Sequence, residues 1–267
     1  MSTQLEKILT HTRLEVRDRR VTSDVRHLER RAAEHQPRGF EAALRKAAEH
    51  GPAVIAELKK ASPSRGLIRA DFHPGALAGS LEGAGATALS VLTDQKFFKG
   101  SLDDLTQASA AVKIPCLRKD FMVDPFQILE ARAAGADAIL LIVAALTDDD
   151  LKSFGLEAWR MGLDVLCEIH DRAELERAAG LGFTVIGVNS RNLHTMQVRP
   201  ETQIELVQWL PREAVRVAES GIRSAAEIAR MVDAGYDAFL VGESLMRQPD
   251  PGAALAALLG RVCPAQR

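Results

Sequence analysis

The chain has 267 residues, with 34 Lys and Arg against 36 Asp and Glu, a net charge of -2 and 46% hydrophobic residues. That is ordinary globular composition, long enough for one large α/β domain, and it carries no electrostatic footprint for nucleic acid. The longest apolar run, AILLIVAAL, is too short to span a bilayer, and MSTQLEKILTHTR has no apolar signal core, so no membrane is expected and the expected setting is cytoplasmic.

Residues 1–50 are charge-rich, with RLEVRDRR and RHLERRAAEH, and predict two amphipathic helices packed on the domain formed by the rest of the chain. Their arginines form either a solvated face or a lid beside a ligand site. Eight apolar runs then read as strands: 53–59, 88–93, 115–119, 138–144, 164–169, 185–189, 215–219 and 238–242. Helix-like stretches lie between them at 74–83, 102–112, 125–134, 148–161, 173–179, 200–209 and 225–233, with a last one at 253–259. Four junctions repeat one scheme, GAGATALSVLT, AAGADAILLIV, GLGFTVIGVNS and DAGYDAFLVGE: a helix end, a glycine, then a short apolar run. Alternating strands and helices imply parallel βαβ units, and eight units over residues 51–267 predict an α/β fold, the (β/α)8 TIM barrel with an N-terminal helical extension. An open doubly wound sheet is the alternative, but no GxGxxG follows the first strand. Because the extension precedes a full set of strands, barrel closure is not expected to need it. Cys116, Cys167 and Cys263 are odd in number and far apart, so reduced, buried thiols are expected rather than disulfides or structural zinc.

The strand ends carry the chemistry. VIAELKKASPSRG opens as a buried strand yet carries Glu57 and Lys59, two apart and so on one face with Ile55. Lys119 and Asp120 end the third strand, Glu168 and His170 the fifth, Asn189 and Arg191 the sixth, Glu219 and Ser220 the seventh, and Gly242 and Glu243 the eighth. The first halves of these strands are apolar, and the C-terminal strand ends of such a barrel form its active face. Lys59, Lys119, Glu57 and Glu168 should converge on one cavity, where a lysine among carboxylates donates a proton and a glutamate of raised pKa takes one up. AESGIRS and VGESLM place Gly221 and Gly242 at the positions where barrels bind phosphate, and SPSRG adds Ser62 and Arg65. The expected ligand is therefore a phosphorylated small molecule. His170 reads as a hydrogen-bonded loop histidine. Phe98, in KFF after the second strand, is either loop-anchoring core or an apolar wall for a planar ring. No HxH, HExxH or Asp-rich cluster suggests a metal.

IAELKKASPSRG, SVLTDQKFFKGS, LRKDF, CEIHD, GVNSRNL and AESGI, in that order, resemble the indole-3-glycerol phosphate synthase family across residues 1–260. The resemblance implies the (β/α)8 barrel, no metal or organic cofactor, and a substrate, 1-(2-carboxyphenylamino)-1-deoxyribulose 5-phosphate, whose pyrrole ring closes with loss of carbon dioxide and water. It implies that Lys119 is the general acid of ring closure and Glu168 the general base of dehydration. Lys59 would face the anthranilate carboxylate, with Glu57, Asn189 and Glu219 holding these groups. Ser62, Arg191, Ser220, Gly221 and Gly242 would contact substrate and phosphate, and Phe98 and Phe121 would wall the aromatic ring. Glu243 departs from the serine of some relatives, and an i,i+4 pair with Arg247 would turn it away from the phosphate. A monomer or weak homodimer is expected. Phosphoribosylanthranilate isomerase is the alternative enzyme, against which the two strand-1 lysines argue. A non-catalytic phosphosugar-binding barrel need not keep Lys119 and Glu168 together.

Overall fold

The computed structural model describes residues 3–192 and 197–260. Its centre is a closed barrel of eight parallel strands: β1 (Ala53–Leu58), β2 (Ala88–Leu92), β3 (Cys116–Lys119), β4 (Ala138–Ile142), β5 (Asp164–Ile169), β6 (Val185–Asn189), β7 (Val215–Glu219) and β8 (Ala238–Val241). Each strand pairs with the next in sequence, and β8 returns to β1 through Ala53↔Ala238 to Ala56↔Val241. The helices are α1 (Gln4–Thr22), α2 (Val25–Glu34), α3 (Phe40–Ala48), α4 (Pro74–Gly83), α5 (Gln95–Phe98), α6 (Leu102–Ala111), α7 (Phe126–Ala133), α8 (Asp148–Arg160), α9 (Arg172–Gly180), α10 (Glu201–Val207), α11 (Ala225–Ala234), α12 (Glu243–Met246) and α13 (Pro251–Leu258). A two-residue hairpin, Ala61–Ser62 with Gly66–Leu67, follows β1.

Alternation along the strands separates two apolar layers. Ala53 and Ile55 of β1, Ala138 and Leu140 of β4, and Val215 and Val217 of β7 fill the barrel interior. The residues between them, such as Val54, Ala56, Ile139 and Ala218, face the helices. Helix starts follow from capping side chains, as where Ser101, Asp171 and Ser224 accept from Asp104, Glu174 and Glu227 N–H groups. Cys116 and Cys167 are buried free thiols, and burial pushes Cys116 up to about 12; Cys263 lies outside the described residues.

The extension differs from its expectation. It holds three helices rather than two, and it serves both ends of the barrel. Leu5 and Ile8 of α1 reach the mouth, whereas α3 lies against the N-terminal strand ends. There Phe40 and Leu44 are wholly buried in the interior cluster beside the small side chains of Ala53, Ala88, Ala138 and Ala238. Glu41 N–H donates to Asp164 at the start of β5, and the Thr184 hydroxyl donates to Glu41. Arg38 ties this end further, donating to Asp137 Oδ2 and to the Ser109 and Val112 carbonyls. Residues 38–44 thus cover the barrel base, while the eight strands close on one another without a strand from the extension.

Candidate active site

At the C-terminal strand ends the interior turns from apolar to charged within one residue pair. In β1 the inward series runs Ala53, Ile55, Glu57; in β7 it runs Val215, Val217, Glu219; in β5 Leu166 precedes Glu168. All the candidate residues line one cavity of about 450 Å3: Glu57, Lys59, Ser62, Phe98, Lys119, Phe121, Glu168, Asn189, Arg191, Glu219, Ser220, Gly221, Gly242 and Glu243. Lys59 lies one residue beyond the end of β1 rather than within it. Phe98 and Phe121 stand 6.3 Å apart at a tilt of 40°, on the side where Leu5 and Ile8 enter.

The charges form two sets. Lys59 Nζ is 2.5 Å from Glu57 Oε1. Lys119 Nζ donates to Glu168 Oε2 at 2.9 Å and lies 3.4 Å from Glu219 Oε2. Burial opposes the charge on Lys119, but the carboxylates of Glu168, Glu219 and Glu57 outweigh it and raise its pKa well above the usual lysine range. The two glutamates diverge. Burial works against Glu168 as an anion, yet Lys119 and His170 hold it well below the usual carboxylate range. For Glu219 burial prevails over the pull of Lys119, and Glu168 and Glu57 add like charge, so it is pushed up to about 8. Glu219, not Glu168, is therefore the glutamate whose pKa is raised, because Glu168 has both Lys119 and His170 beside it.

Two glycines make room for these carboxylates. A Cβ at Gly187, inward on β6, would collide with Glu219 Oε1, and one at Gly242 would collide with Glu57 Oε1. Gly187 was not among the expected site residues. The signal was a lone glycine inside a strand, which marks close approach of another group. The turn after β7 is held in a left-handed backbone at Ser220 (φ 68°) and Gly221 (φ 82°), an uncommon state for serine. Ser220 Oγ donates to Asn189 Oδ1 at 2.8 Å, and Gln203 Nε2 donates to the Glu219 carbonyl at 2.7 Å, which fixes the turn from two sides.

Glu243 does pair with Arg247 (3.0 Å), and it also meets Arg65 of the loop after β1 (3.4 Å). Arg65, Arg191, Arg223 and Arg247 all line this end of the cavity. Ser62 lines it too, with a buried hydroxyl that has no hydrogen-bond partner among the described residues.

Arg118 was also missed. It precedes Lys119 on β3 and so faces the opposite way, where it is wholly buried. It donates to Thr93 Oγ1, the Gln127 carbonyl and Asp120 Oδ2, and pairs with Glu130, which Arg19 of α1 also grips at 2.8 Å. Asp120 is spent on this network rather than on the cavity's two lysines. The adjacent cations in LRKDF, on a strand with alternating faces, were the available clue. His170 is hydrogen-bonded, as read, with Nδ1 3.0 Å from Glu174. Among the described residues no group of three or more His, Cys, Asp or Glu side chains is arranged to hold a metal ion, and no helix is long and apolar enough to cross a membrane.

The family profile described as indole-3-glycerol phosphate synthase matches residues 5–258. A protein of Koribacter versatilis (strain Ellin345) with that same name is 60% identical over 260 residues, covering 97% of this chain and 100% of the relative. Among solved structures, thiamine phosphate pyrophosphorylase from Pyrococcus furiosus superposes with a TM-score of 0.58 at 16% identity, over 79% of this chain and 95% of that one. N-acetylmannosamine-6-phosphate 2-epimerase from Clostridium perfringens gives 0.56 at 17% identity, over 72% and 86%. At such identities these two show the barrel alone.

Proposed function

Because this chain belongs to the indole-3-glycerol phosphate synthase family, we propose how its residues divide the work of that reaction. The enzyme closes the pyrrole ring of 1-(2-carboxyphenylamino)-1-deoxy-D-ribulose 5-phosphate, in tryptophan biosynthesis, with loss of carbon dioxide and water. In this reading, the ring carbon bearing the carboxylate attacks the ribulose carbonyl carbon. Lys119 gives its proton to the carbonyl oxygen, and its charge stabilises the alkoxide as it forms. Lys59 faces the carboxylate until carbon dioxide leaves and aromaticity returns to the six-membered ring. The new hydroxyl then departs as water with a proton from Lys59 or Lys119, and Glu168 takes a proton from the methylene beside nitrogen. Two protons are given and one is taken, which matches the one consumed when a carboxylate leaves as carbon dioxide.

The observation that carries this reading is Lys119 held by Glu168 at 2.9 Å inside the cavity. While that pair is intact Glu168 is ionised but a poor base. When Lys119 turns to the carbonyl oxygen, Glu168 loses its nearest cation and its basicity rises at the stage that needs it. Phosphate is read as sitting against Ser220, Gly221, Gly242 and Arg191, within reach of the cavity's other arginines. Phe98 and Phe121 wall the aromatic ring, and Glu57, Asn189 and Glu219 hold the lysines and the turn. A cytoplasmic setting and a monomer or weak homodimer belong to the same reading, and sedimentation velocity tests the latter.

Glu168→Gln is the test of the base. In a single turnover it should release carbon dioxide in a burst without matching indole formation. Equal slowing of both products would reduce Glu168 to holding Lys119.

A further inference from the structure

Glu168 is gripped from two sides. Lys119 takes Oε2 from within the cavity, and His170, two residues on, brings Nε2 to 3.4 Å from Oε1. His170 is not among the residues that line the cavity. Its ring is set by Glu174 in the first turn of α9, whose Oε2 accepts the His170 N–H at 2.8 Å and lies 3.0 Å from Nδ1. Asp171 fixes that turn in place by accepting from the Glu174 N–H. Nε2 is buried, and its hydrogen bond to Glu168 is not completed in this geometry.

We propose that His170, as an imidazolium clamped by Glu174, is a positioning residue that holds Glu168 in aim and ionised once Lys119 has moved to the substrate. The inference rests on the reading of Glu168 as the base of dehydration. The charged groups around the pair define the need. Glu168 faces Lys119 from β3 and Glu219 from β7, and Glu57 from β1 adds its field at Lys119. Behind His170 stands Glu174, whereas Arg177 of α9 is turned to Asp148. If Lys119 left, Glu168 would lose its nearest cavity cation while Glu219 stayed beside it, and both changes favour its protonated form. A cation outside the cavity counters this. A small rotation of Glu168 toward Nε2 completes the hydrogen bond that is missing while Lys119 holds the other oxygen. Burial disfavours the imidazolium, but Glu168 and Glu174 prevail and raise His170 to about 10, so it is charged at neutral pH.

His170→Gln keeps a side chain of similar reach but loses the charge. Single-turnover release of carbon dioxide should stay within about twofold of the parent enzyme and KM likewise, while indole formation slows about tenfold. Losing a neighbouring cation raises a carboxylate's pKa, so the acid limb of the dehydration rate should move up by about one pH unit. Glu174→Gln, which keeps an acceptor for the ring but removes the clamping charge, should move both readouts the same way by less, and it serves if His170→Gln does not fold. Parent-like partition of products and a parent-like acid limb in a folded variant would overturn the inference. Equal slowing of both steps with an unmoved limb would also overturn it, since that is the mark of a merely structural histidine. If Glu168→Gln fails to separate the two products, the base reading falls and this inference with it. If it separates them and His170→Gln does not, this inference alone falls.

Discussion

Glu219 offers a test in which stability and pH are tied to one carboxyl. It is buried, its Oε1 has no hydrogen-bond partner among the described residues, and its pKa is pushed up to about 8. In the unfolded chain a glutamate titrates near its reference value, about 4.3. Between those values the folded protein holds a proton that the unfolded chain has released. The contribution of Glu219 is therefore fully present below about pH 4.3 and is lost as pH rises toward about 8, at up to about 1.4 kcal/mol per pH unit. From pH 5 to pH 7 that is on the order of a few kcal/mol, which lowers Tm by several degrees for a chain of this size. Glu219→Gln cannot titrate. Its Tm relative to the parent should climb across this interval by as much as that amount, whatever constant offset the amide brings. His170, raised to about 10, loses its own contribution only above its unfolded value, and it does so in both proteins, so the comparison cancels it. The assay is thermal unfolding of both proteins at pH 5, 6 and 7. A Tm difference that does not change with pH would mean that Glu219 is ionised in the fold, and the electrostatic account of Lys119 would need rebuilding.

Glu243→Gln should change KM by less than about threefold, because a half-exposed pair with Arg247 and Arg65 is worth only some tenths of a kcal/mol; a tenfold change in steady-state KM would mean that the carboxylate faces the ligand. Deleting residues 1–22 should leave a cooperative thermal transition but raise KM, since Leu5 and Ile8 no longer wall the cavity. Phe40→Ala, by contrast, should cost about 3–5 kcal/mol in denaturant unfolding with the product partition unchanged, as its ring fills the barrel base far from the chemistry.

Much of this was legible because its determinants are local. The bounds of β5, β6 and β7 were read at the residues observed, where short apolar runs are bracketed by turn residues and end in polar groups. The shared placement of Glu57, Lys59, Lys119 and Glu168 at C-terminal strand ends was enough to predict one cavity. What escaped depends on partners distant in sequence. The need for glycine at 187 comes from Glu219 on the neighbouring strand. The opposite pKa shifts of Glu168 and Glu219 follow from their partners, since Lys119 and His170 both hold Glu168, whereas Glu219 lies farther from Lys119 and has like charge beside it. The third extension helix was hidden because Gly39, in a left-handed backbone, breaks what reads as one charge-rich stretch. Its two buried anchors, Phe40 and Leu44, are too few to show a period. Arg118 adjoins Lys119 in sequence, and only strand alternation separates the buried cation from the one in the cavity.

The division of labour hinges on Lys119, and Lys119→Met addresses it most directly. Methionine keeps much of the length of the side chain but neither the proton nor the charge. Single-turnover formation of indole, followed by its fluorescence, should fall by about 10²–10⁴ or more, while binding of a phosphorylated substrate analogue stays within a few-fold. Retention of more than about a tenth of the parent rate would contradict the account and move the acid of ring closure to Lys59, the cavity's other paired lysine.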